Sequence, residues 1–272
     1  MKILIAEFAV GTGIEKSLIP EGAAMLKTLA ESFVGLGHEV YYPSAGTKIC
    51  SGTALNSTGK NFAQILEKKA QDCDAGLVIA PDWMLPELNE LLEDNTVNLG
   101  CSPESAAFCA DKLMCTKILN KSGIKTPKIA EEPKIGKDYV LKPRFGCGAE
   151  DTYLVKDFKN NEELIASEYV EGEHLSVSLI AGNKPLPLTV NHQFIEFYPK
   201  AGRTEDCGQK PPVSGIKYNG SLTPYNTSRK EELYTAAIST VKCLKCFGYV
   251  GVDIVLADFP YVVDVNPRPT AS

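Results

Sequence analysis

Hydrophobic and polar positions in the first 100 residues follow two alternating periods, which predicts alternating strands and helices. Residues 2–8 form an apolar run of strand length, and residues 76–80 form a second run without polar positions. Between them, apolar residues recur at three- and four-residue spacing over 25–34, which is the period of an amphipathic helix. The other predicted elements are strands at 38–42 and 97–99 and helices at 62–70 and 85–92. This alternation predicts a small parallel sheet with helices on both faces.

After residue 139 the pattern changes to strands followed by one long helix, so a separate α+β region is expected. A Ser-Pro-Glu helix start at 102–104 and a second helix at 111–121 precede it. The predicted strands are 139–141, 152–155, 167–170, 175–180, 186–190, 249–256 and 261–265, and the helix is 228–246. The polar stretch 198–227 is too long for a plain connection and is interpreted as a functional or mobile loop.

Composition and charge exclude several classes of protein. The 272 residues carry a net charge of −6 without a basic cluster, which argues against a nucleic-acid partner. No apolar run approaches the roughly 20 residues that span a bilayer, and the first apolar run meets Glu7 without a cleavage site. The nine cysteines form no disulfide framework, and Cys243 and Cys246 lack the second pair that a zinc site needs. Reduced thiols in a cytoplasm are therefore expected.

One short segment has the composition of an anion-binding turn. The sequence Lys-Pro-Arg-Phe-Gly-Cys-Gly-Ala begins at Lys142 and follows an apolar strand. Gly146 and Gly148 allow the backbone to approach a ligand, and Lys142 and Arg144 add positive charge. The segment is neither a Walker A loop nor a dinucleotide fingerprint. A phosphate loop and a plain hairpin turn explain it equally well, and Cys147 is interpreted as a small turn residue rather than a nucleophile.

Two acids in neighbouring C-terminal strands suggest a metal site. Asp253 interrupts an apolar strand, and Asp264 and Asn266 lie on one face of the next strand. Burying such acids costs several kcal/mol unless they are paired or bind a metal. Oxygen ligands without His or Cys suit Mg²⁺ or Mn²⁺, which often share phosphate oxygens. The alternative is a pair of acids neutralised by a structural Lys or Arg, and we favour the metal.

A third segment, 167–174, joins two predicted strands. The exposed backbone groups of such a linker can bind a purine edge, and a polar side chain beyond it can reach a ribose. Taken alone, the segment is better explained as an ordinary acidic turn.

Together and in this order, the motifs resemble the ATP-grasp superfamily over nearly the whole chain. They are Asp111-Lys112, Lys142-Pro-Arg, Gly146-Cys-Gly, Glu168-Tyr-Val-Glu-Gly, Asp253 and Asp264-Val-Asn-Pro-Arg. The resemblance implies an α/β ATP-grasp fold with a Rossmann-like pre-ATP-grasp domain at 1–108. Two α+β lobes, 109–170 and 171–272, would clamp ATP. Proteins of this superfamily normally continue further, so either a naturally short C-terminus or missing residues are expected.

The resemblance also implies a role for each matching residue. The residues that would bind ATP are Lys112, Lys142, Gly146, Gly148, Glu168, Tyr169, Val170 and either Glu173 or His174 at the ribose. Two divalent ions, Mg²⁺ or Mn²⁺, would be held by Asp253, Asp264 and Asn266. The residues expected to act at the reacting groups are Arg268, Lys142 and Arg144. Asp264 stands where the superfamily commonly has Glu, so its side chain is one methylene shorter.

Within this superfamily, the chain is most similar to the branch of enzymes that acts in methanofuran biosynthesis of methanogenic archaea. The motifs that indicate this include the opening strand, the Glu21-Gly22 helix start and Asn191-His-Gln193. This similarity implies an ADP-forming ligase that joins the γ-carboxyl of L-glutamate to tyramine through an acylphosphate. Besides Arg144 and Arg268, the candidate substrate residues are Glu7, Glu21, Gln193, Arg203 and Lys217. The acids would face the tyramine ammonium, Gln193 would line the pocket, and the cations would balance glutamate. For the acids, a solvated or helix-dipole role is an equal alternative.

Three other interpretations stay open. One is a ligase for another pair of substrates, such as a lysine-using enzyme similar to the ligase of pyrrolysine biosynthesis. Another is an ATP-binding regulatory protein on a degenerate ATP-grasp scaffold, against which the intact metal ligands count. The third, ranked last, is a two-domain scaffold that binds a protein partner. Small-molecule substrates and no nucleic-acid or membrane partner are expected, and the sequence is compatible with a homodimer.

Overall fold

The computed structural model describes residues 1–146, 151–159, 161–199 and 214–270. Its contacts divide the chain into two compact units. The first unit contains Met1–Ala107, Cys246–Val250 and the segment that begins at Pro267, and the second contains Phe108–Lys245 and Gly251–Asn266. The first unit is thus assembled from three separate stretches of sequence. The predicted division of the remainder into lobes at residue 170 stays a prediction.

The first unit is built on a five-stranded parallel sheet, as the sequence pattern predicts. Its strands are β1 (Lys2–Glu7), β2 (Glu39–Ser44), β3 (Thr53–Asn56), β4 (Ala75–Ile79) and β5 (Val97–Asn98). Its helices are α1 (Phe8–Thr12), α2 (Ile19–Gly35), α3 (Phe62–Ala70), α4 (Leu85–Asn95) and the start of α5 (Pro103–Ala110). The strand order is β3-β2-β1-β4-β5, and all neighbours are parallel.

Helices cover both faces of this sheet, because β1 is apolar on both sides. Ile3 and Ile5 share one buried cluster with residues of α2. Leu4, which points the other way, is also fully buried. It pairs with Gly76, where an added Cβ would lie 2.8 Å from Leu92 Cδ2 of α4. The expected layer arrangement is confirmed.

Two elements of the first unit differ from the prediction. No helix is predicted directly after the first strand, but α1 forms there, because the Glu7 side chain accepts a hydrogen bond from the Val10 N–H and Gly13 ends the helix at φ 70°. The strand β3 was not expected. Its residues are mostly exposed at the edge of the sheet, so they lack the apolar alternation of a buried strand.

The second unit holds an eight-stranded sheet except for the first three residues of the strand Gly248–Leu256, which belong to the first unit. This confirms the expected α+β region. Its strands are β6 (Tyr139–Pro143), β7 (Tyr153–Val155), β8 (Leu164–Glu168), β9 (Glu173–Ala181), β10 (Leu186–Pro199), β11 (Ser214–Leu222), β12 (Gly248–Leu256) and β13 (Pro260–Asn266). Its helices are α6 (Lys112–Lys121) and α7 (Lys230–Cys243). The strand order is β13-β12-β9-β10-β11-β7-β6-β8.

The prediction of one long loop at 198–227 was wrong in part. The strand β10 continues to Pro199, and β11 occupies Ser214–Leu222 and pairs with it in antiparallel register. Much of this pair is exposed, so partner strands rather than an apolar pattern specify it. Residues 200–213 lie outside the described part of the chain. No helix among the described residues is long and apolar enough to cross a membrane.

Candidate active site

Two carboxylates face each other across β12 and β13. Asp253 and Asp264 are register partners in this pair. The Asn266 amide donates to Asp253 Oδ2 at 3.2 Å, and the Gln193 amide donates to Asp253 Oδ1 at 3.0 Å. Burial and the charge of Asp264 raise the pKa of Asp253 to about 7, although both amide hydrogen bonds act in the opposite direction. The three predicted metal ligands are therefore adjacent, and the Gln193 amide joins them. Its predicted role in lining the substrate pocket stays a prediction.

Two lysines lie beside these acids. Lys112 Nζ is 3.5 Å from Asp264 Oδ1 and donates to the Gly146 carbonyl at 2.6 Å, and Lys142 Nζ donates to the Val263 carbonyl at 2.7 Å. Burial lowers the pKa of Lys142. Burial also acts to raise the pKa of Asp264, but the charges of Lys112 and Lys142 outweigh it and hold this pKa below its ordinary value. Positive and negative groups thus converge where the glycine turn begins.

Arg144, which is predicted to act at the reacting groups, forms an ion pair with a carboxylate. Its Nε and Nη2 donate to the two oxygens of Asp111 at 2.8 and 2.6 Å. Asp111 also caps α6, and the Lys112 backbone N–H donates to the Arg144 carbonyl at 3.1 Å. Such a bidentate pair is geometrically specific. Arg144 therefore fastens the glycine turn to the start of α6, which favours a positioning role over contact with the reacting groups.

Gly146 has a backbone conformation that favours glycine. Its φ is 155°, at the limit of the region that side chains rarely adopt, although an added Cβ would come no closer than 3.6 Å to Pro143. The turn thus requires glycine for its conformation and not for lack of space. Gly148 and Cys147 lie outside the described residues.

The residues predicted to contact adenine have different surroundings: Glu168 lies at the surface, and Tyr169 belongs to an aromatic cluster with Phe197 and His174. Glu168 forms an ion pair with Lys137 at 2.8 Å, which lowers the pKa of Glu168. The Tyr169 ring packs edge-on against Phe197, with centroids 6.1 Å apart, and the His174 ring is 6.3 Å from the same residue. Phe197 was missed from the sequence, because it lies between the predicted strand 186–190 and the predicted loop 198–227, in a part of β10 that was assigned to no element.

Glu173 and His174 were alternatives for the ribose, and the structure places them in different surroundings. As neighbours on β9, they point to opposite faces of the sheet. Glu173 accepts a hydrogen bond from the Tyr225 hydroxyl at 2.5 Å and lies 3.7 Å from His192 Nε2. Of the two residues, only His174 packs on the aromatic cluster, which favours His174.

The first unit places charged residues where its strand order reverses, between β1 and β4. Ligands of parallel α/β sheets bind at such points, outside the carboxyl ends of the strands. Glu7 ends β1 and is 6% exposed, and Asp82 follows β4 and is 2% exposed. Arg268 Nε donates to Asp82 Oδ1 at 3.0 Å. Burial raises the pKa of Glu7, which the Val10 N–H and the charge of Arg268 partly oppose. Asp82 was not identified from the sequence.

The remaining predicted substrate residues are dispersed. Glu21 is exposed in the first turn of α2, beside Gly22, and its charge contributes to the raised pKa of Glu7. Lys217 is exposed on β11. Arg203 lies outside the described residues. Roles for these side chains in substrate binding stay predictions.

The donor set fits a magnesium-like ion bound together with a nucleotide. Within the described ranges, no group of three or more His, Cys, Asp or Glu side chains could hold a metal ion. The candidate ligands are therefore two carboxylates and one amide, Asp253, Asp264 and Asn266. Mg²⁺ is commonly held by one or two carboxylates plus phosphate oxygens. The ion pair of Lys112 with Asp264 means that neutralisation by lysine, the alternative interpretation, is present as well.

Known proteins resemble this chain in sequence and in fold. A model of the ATP-grasp domain matches residues 109–272. The tyramine–L-glutamate ligase of Methanocaldococcus jannaschii is 30% identical, over 99% of this chain and 83% of that protein. A D-alanine–D-alanine ligase of Clostridium botulinum is 30% identical over 62% of this chain and 61% of its own.

Solved structures give the same picture of the fold. An ATP-grasp superfamily protein from Archaeoglobus fulgidus superimposes with a TM-score of 0.80 at 31% identity, over 100% of this chain and 82% of that one. D-alanine–D-alanine ligase from Bacillus anthracis has a TM-score of 0.67 at 22% identity, over 100% and 88% of the two chains, which speaks for the fold alone.

Proposed function

The chain belongs to the ATP-grasp family, and from this premise we propose that it is an ADP-forming ligase that joins the γ-carboxyl of L-glutamate to the amine of tyramine. The similarity to a tyramine–L-glutamate ligase over 99% of the chain supports these substrates. Its place would then be in methanofuran biosynthesis.

One observation carries the proposal: two acids and two lysines converge beside a glycine turn. Lys112 reaches both Asp264 and the Gly146 carbonyl, and Lys142 lies within the influence of both carboxylates. A protein that only stored a nucleotide would need no acid pair at this point. Phosphoryl transfer does need one, because charge must be neutralised where phosphate and carboxylate meet.

In the proposed reaction, a γ-carboxylate oxygen of glutamate bonds to the γ-phosphorus of ATP while the bond to the bridging oxygen breaks, which releases ADP. The tyramine nitrogen then attacks the acyl carbon, the carbon–oxygen bond to phosphate breaks, and the amine loses a proton. Bound Mg²⁺ or Mn²⁺, held by Asp253, Asp264 and Asn266, would neutralise phosphate charge. Lys112 and Lys142 would bind phosphate oxygens and fix the γ-phosphate for in-line attack.

Two residues of the first unit are the proposed substrate-binding residues. Arg268, held by Asp82, can bind a carboxylate or the oxyanion that develops on it. Glu7 is the candidate partner of the tyramine ammonium, although it already caps α1. No side chain is needed as a nucleophile, because the phosphate of ATP activates the acid.

The test is a ligation assay with purified protein, ATP, Mg²⁺ or Mn²⁺, glutamate and tyramine, followed by mass spectrometry. We expect a condensed glutamyl-tyramine product and ADP only when all components are present, and fragment ions that place the amide at the γ-carbon. Lys112→Met should abolish ADP formation, whereas Lys184→Met, a matched change at an exposed lysine, should not. ADP formation with a different amine would keep the ligase and refute tyramine. No ADP with any pair would refute the ligase.

A further inference from the structure

Gln193 makes a contact that local sequence does not reveal. It lies on β10, and its Nε2 donates to Asp253 Oδ1 on β12, 60 residues away, at 3.0 Å. The strand β9 lies between the two in the sheet. Two strand spacings amount to about 10 Å, so the two side chains reach towards each other above β9. This contact requires the length of glutamine.

The second oxygen of the same carboxylate is also held by an amide. Asn266 Nδ2 donates to Asp253 Oδ2 at 3.2 Å. With one amide donor on each oxygen, rotation of the carboxylate is restricted. Each carboxylate oxygen has two lone-pair positions, so an oxygen that accepts one amide hydrogen bond can still bind an ion.

We propose that Gln193 is a positioning residue that orients the Asp253 carboxylate for binding a divalent cation. Hydrogen-bond partners of metal ligands fix ligand orientation, and losing one typically weakens metal binding or activity by about 10–100-fold. This role differs from the pocket-lining role predicted for Gln193. It rests on the nucleotide site of the proposed function but not on the identity of the acid or the amine.

The neutrality of the amide matters for this role. Asp264 already lies close to Lys112, and the charge of Lys142 acts on it as well. If a lysine or arginine took the place of Gln193, its charge would be added to those of Lys112 and Lys142 and would compete with a metal ion for the Asp253 carboxylate. An amide supplies a hydrogen bond without a full charge, so Asp253 keeps its attraction for a divalent cation.

The test measures Mn²⁺ binding directly, by the electron paramagnetic resonance signal of free Mn²⁺ titrated into protein saturated with ADP. Gln193→Met keeps the length of the side chain and removes the N–H donor, so we expect about 10–100-fold weaker Mn²⁺ binding. Gln193→Leu also removes the donor and adds no charge. It should lose the orienting hydrogen bond in the same way and provides a second variant if the first does not fold.

The matched control is Glu196→Gln on the same strand, where the carboxylate accepts a hydrogen bond from Asn219 at 2.7 Å. Its Mn²⁺ affinity should equal that of the wild type. Wild-type Mn²⁺ affinity in either folded Gln193 variant, with a raised KM for the amine, would overturn the inference and restore the pocket role. Neither glutamate nor tyramine is present in the titration. Wild-type protein that binds Mn²⁺ with ADP but makes no amide would therefore refute the proposed substrates and leave this inference standing.

Discussion

The close approach of α2 to Glu7 predicts a specific effect of one added methyl group. A Cβ at Gly22 would lie 2.3 Å from Glu7 Cδ, so Gly22→Ala must displace the carboxyl group. Glu7 is only 6% exposed, and its Oε2 accepts the Val10 N–H at 2.7 Å. The displacement therefore breaks the cap of α1 instead of moving a loose side chain.

The magnitude follows from two opposing terms. Loss of a helix cap costs about 0.5–2 kcal/mol, and replacing a helical glycine by alanine gains about 0.4–1 kcal/mol when the backbone allows it. Gly35→Ala, in the same helix, is the matched control, because nothing lies within 4 Å of its added Cβ and it receives only the gain. The free energy of unfolding should therefore be lower in Gly22→Ala than in Gly35→Ala by about 0.5–2 kcal/mol.

Urea denaturation of the two variants measures this difference. The ligation assay adds a second measurement, since displacement of Glu7 should raise the KM for the amine in Gly22→Ala and leave it unchanged in Gly35→Ala. If both variants are stabilised equally, Glu7 is free to move and the argument from the cap fails.

Three further predictions concern charged side chains that are buried or half-buried. Burial raises the pKa of Glu7 above its ordinary value of 4.5, so the native state binds more protons than the unfolded state. The free energy of unfolding of the wild type should therefore fall as pH rises past that value, and Glu7→Gln should remove this dependence on pH. Identical urea-denaturation profiles of the wild type and the variant from pH 4 to 7.5 would contradict this prediction. Asp82→Asn should lower kcat/KM by about 10–100-fold, because Arg268 loses a charged hydrogen-bond partner, and an unchanged value would mean that Asp82 does not position Arg268. Asp111→Ala should lower the free energy of unfolding at pH 7 by about 1–3 kcal/mol. Arg144→Lys keeps the charge but not the fork and should lose a smaller part of this free energy; wild-type stability in Arg144→Lys would show that the bidentate geometry is unimportant.

Local periodicity was sufficient for the buried elements and for the acid pair. The apolar runs of β1 and β4 fix a two-sided parallel sheet, because such runs occur only where both faces are covered. Asp264 and Asn266 fall on one face of β13 by simple alternation, and the structure brings both to Asp253. Side chains that alternate along one short strand can be located without knowledge of the rest of the fold.

Contacts between distant segments could not be predicted from the sequence. Asp82 and Arg268 are 186 residues apart in the sequence. Gln193 reaches Asp253 because only one strand, β9, lies between their two strands in the sheet. The strand order of the eight-stranded sheet decides the contact of Gln193 with Asp253, and the return of the chain to the first unit at Pro267 brings Arg268 to Asp82. No local pattern encodes either. Arg144 was predicted to act at the reacting groups because of its charge and its place in the motif. Only the fold shows that Arg144 pairs with Asp111.

The assembly of the first unit from three stretches has a consequence for how the chain is made. Cys101 is fully buried, and its thiol donates to the Phe247 carbonyl at 3.2 Å. Its partner segment is translated 145 residues (246 − 101) after it, which takes roughly 7–30 s at common rates of synthesis. During that interval the residues that follow β5 are not covered by the segment Cys246–Val250. Cleavage of the chain after Ala107 would leave them uncovered in the product. The thiol of Cys101 is thus open to oxidants and chaperones on the nascent chain, and the folded protein closes it off.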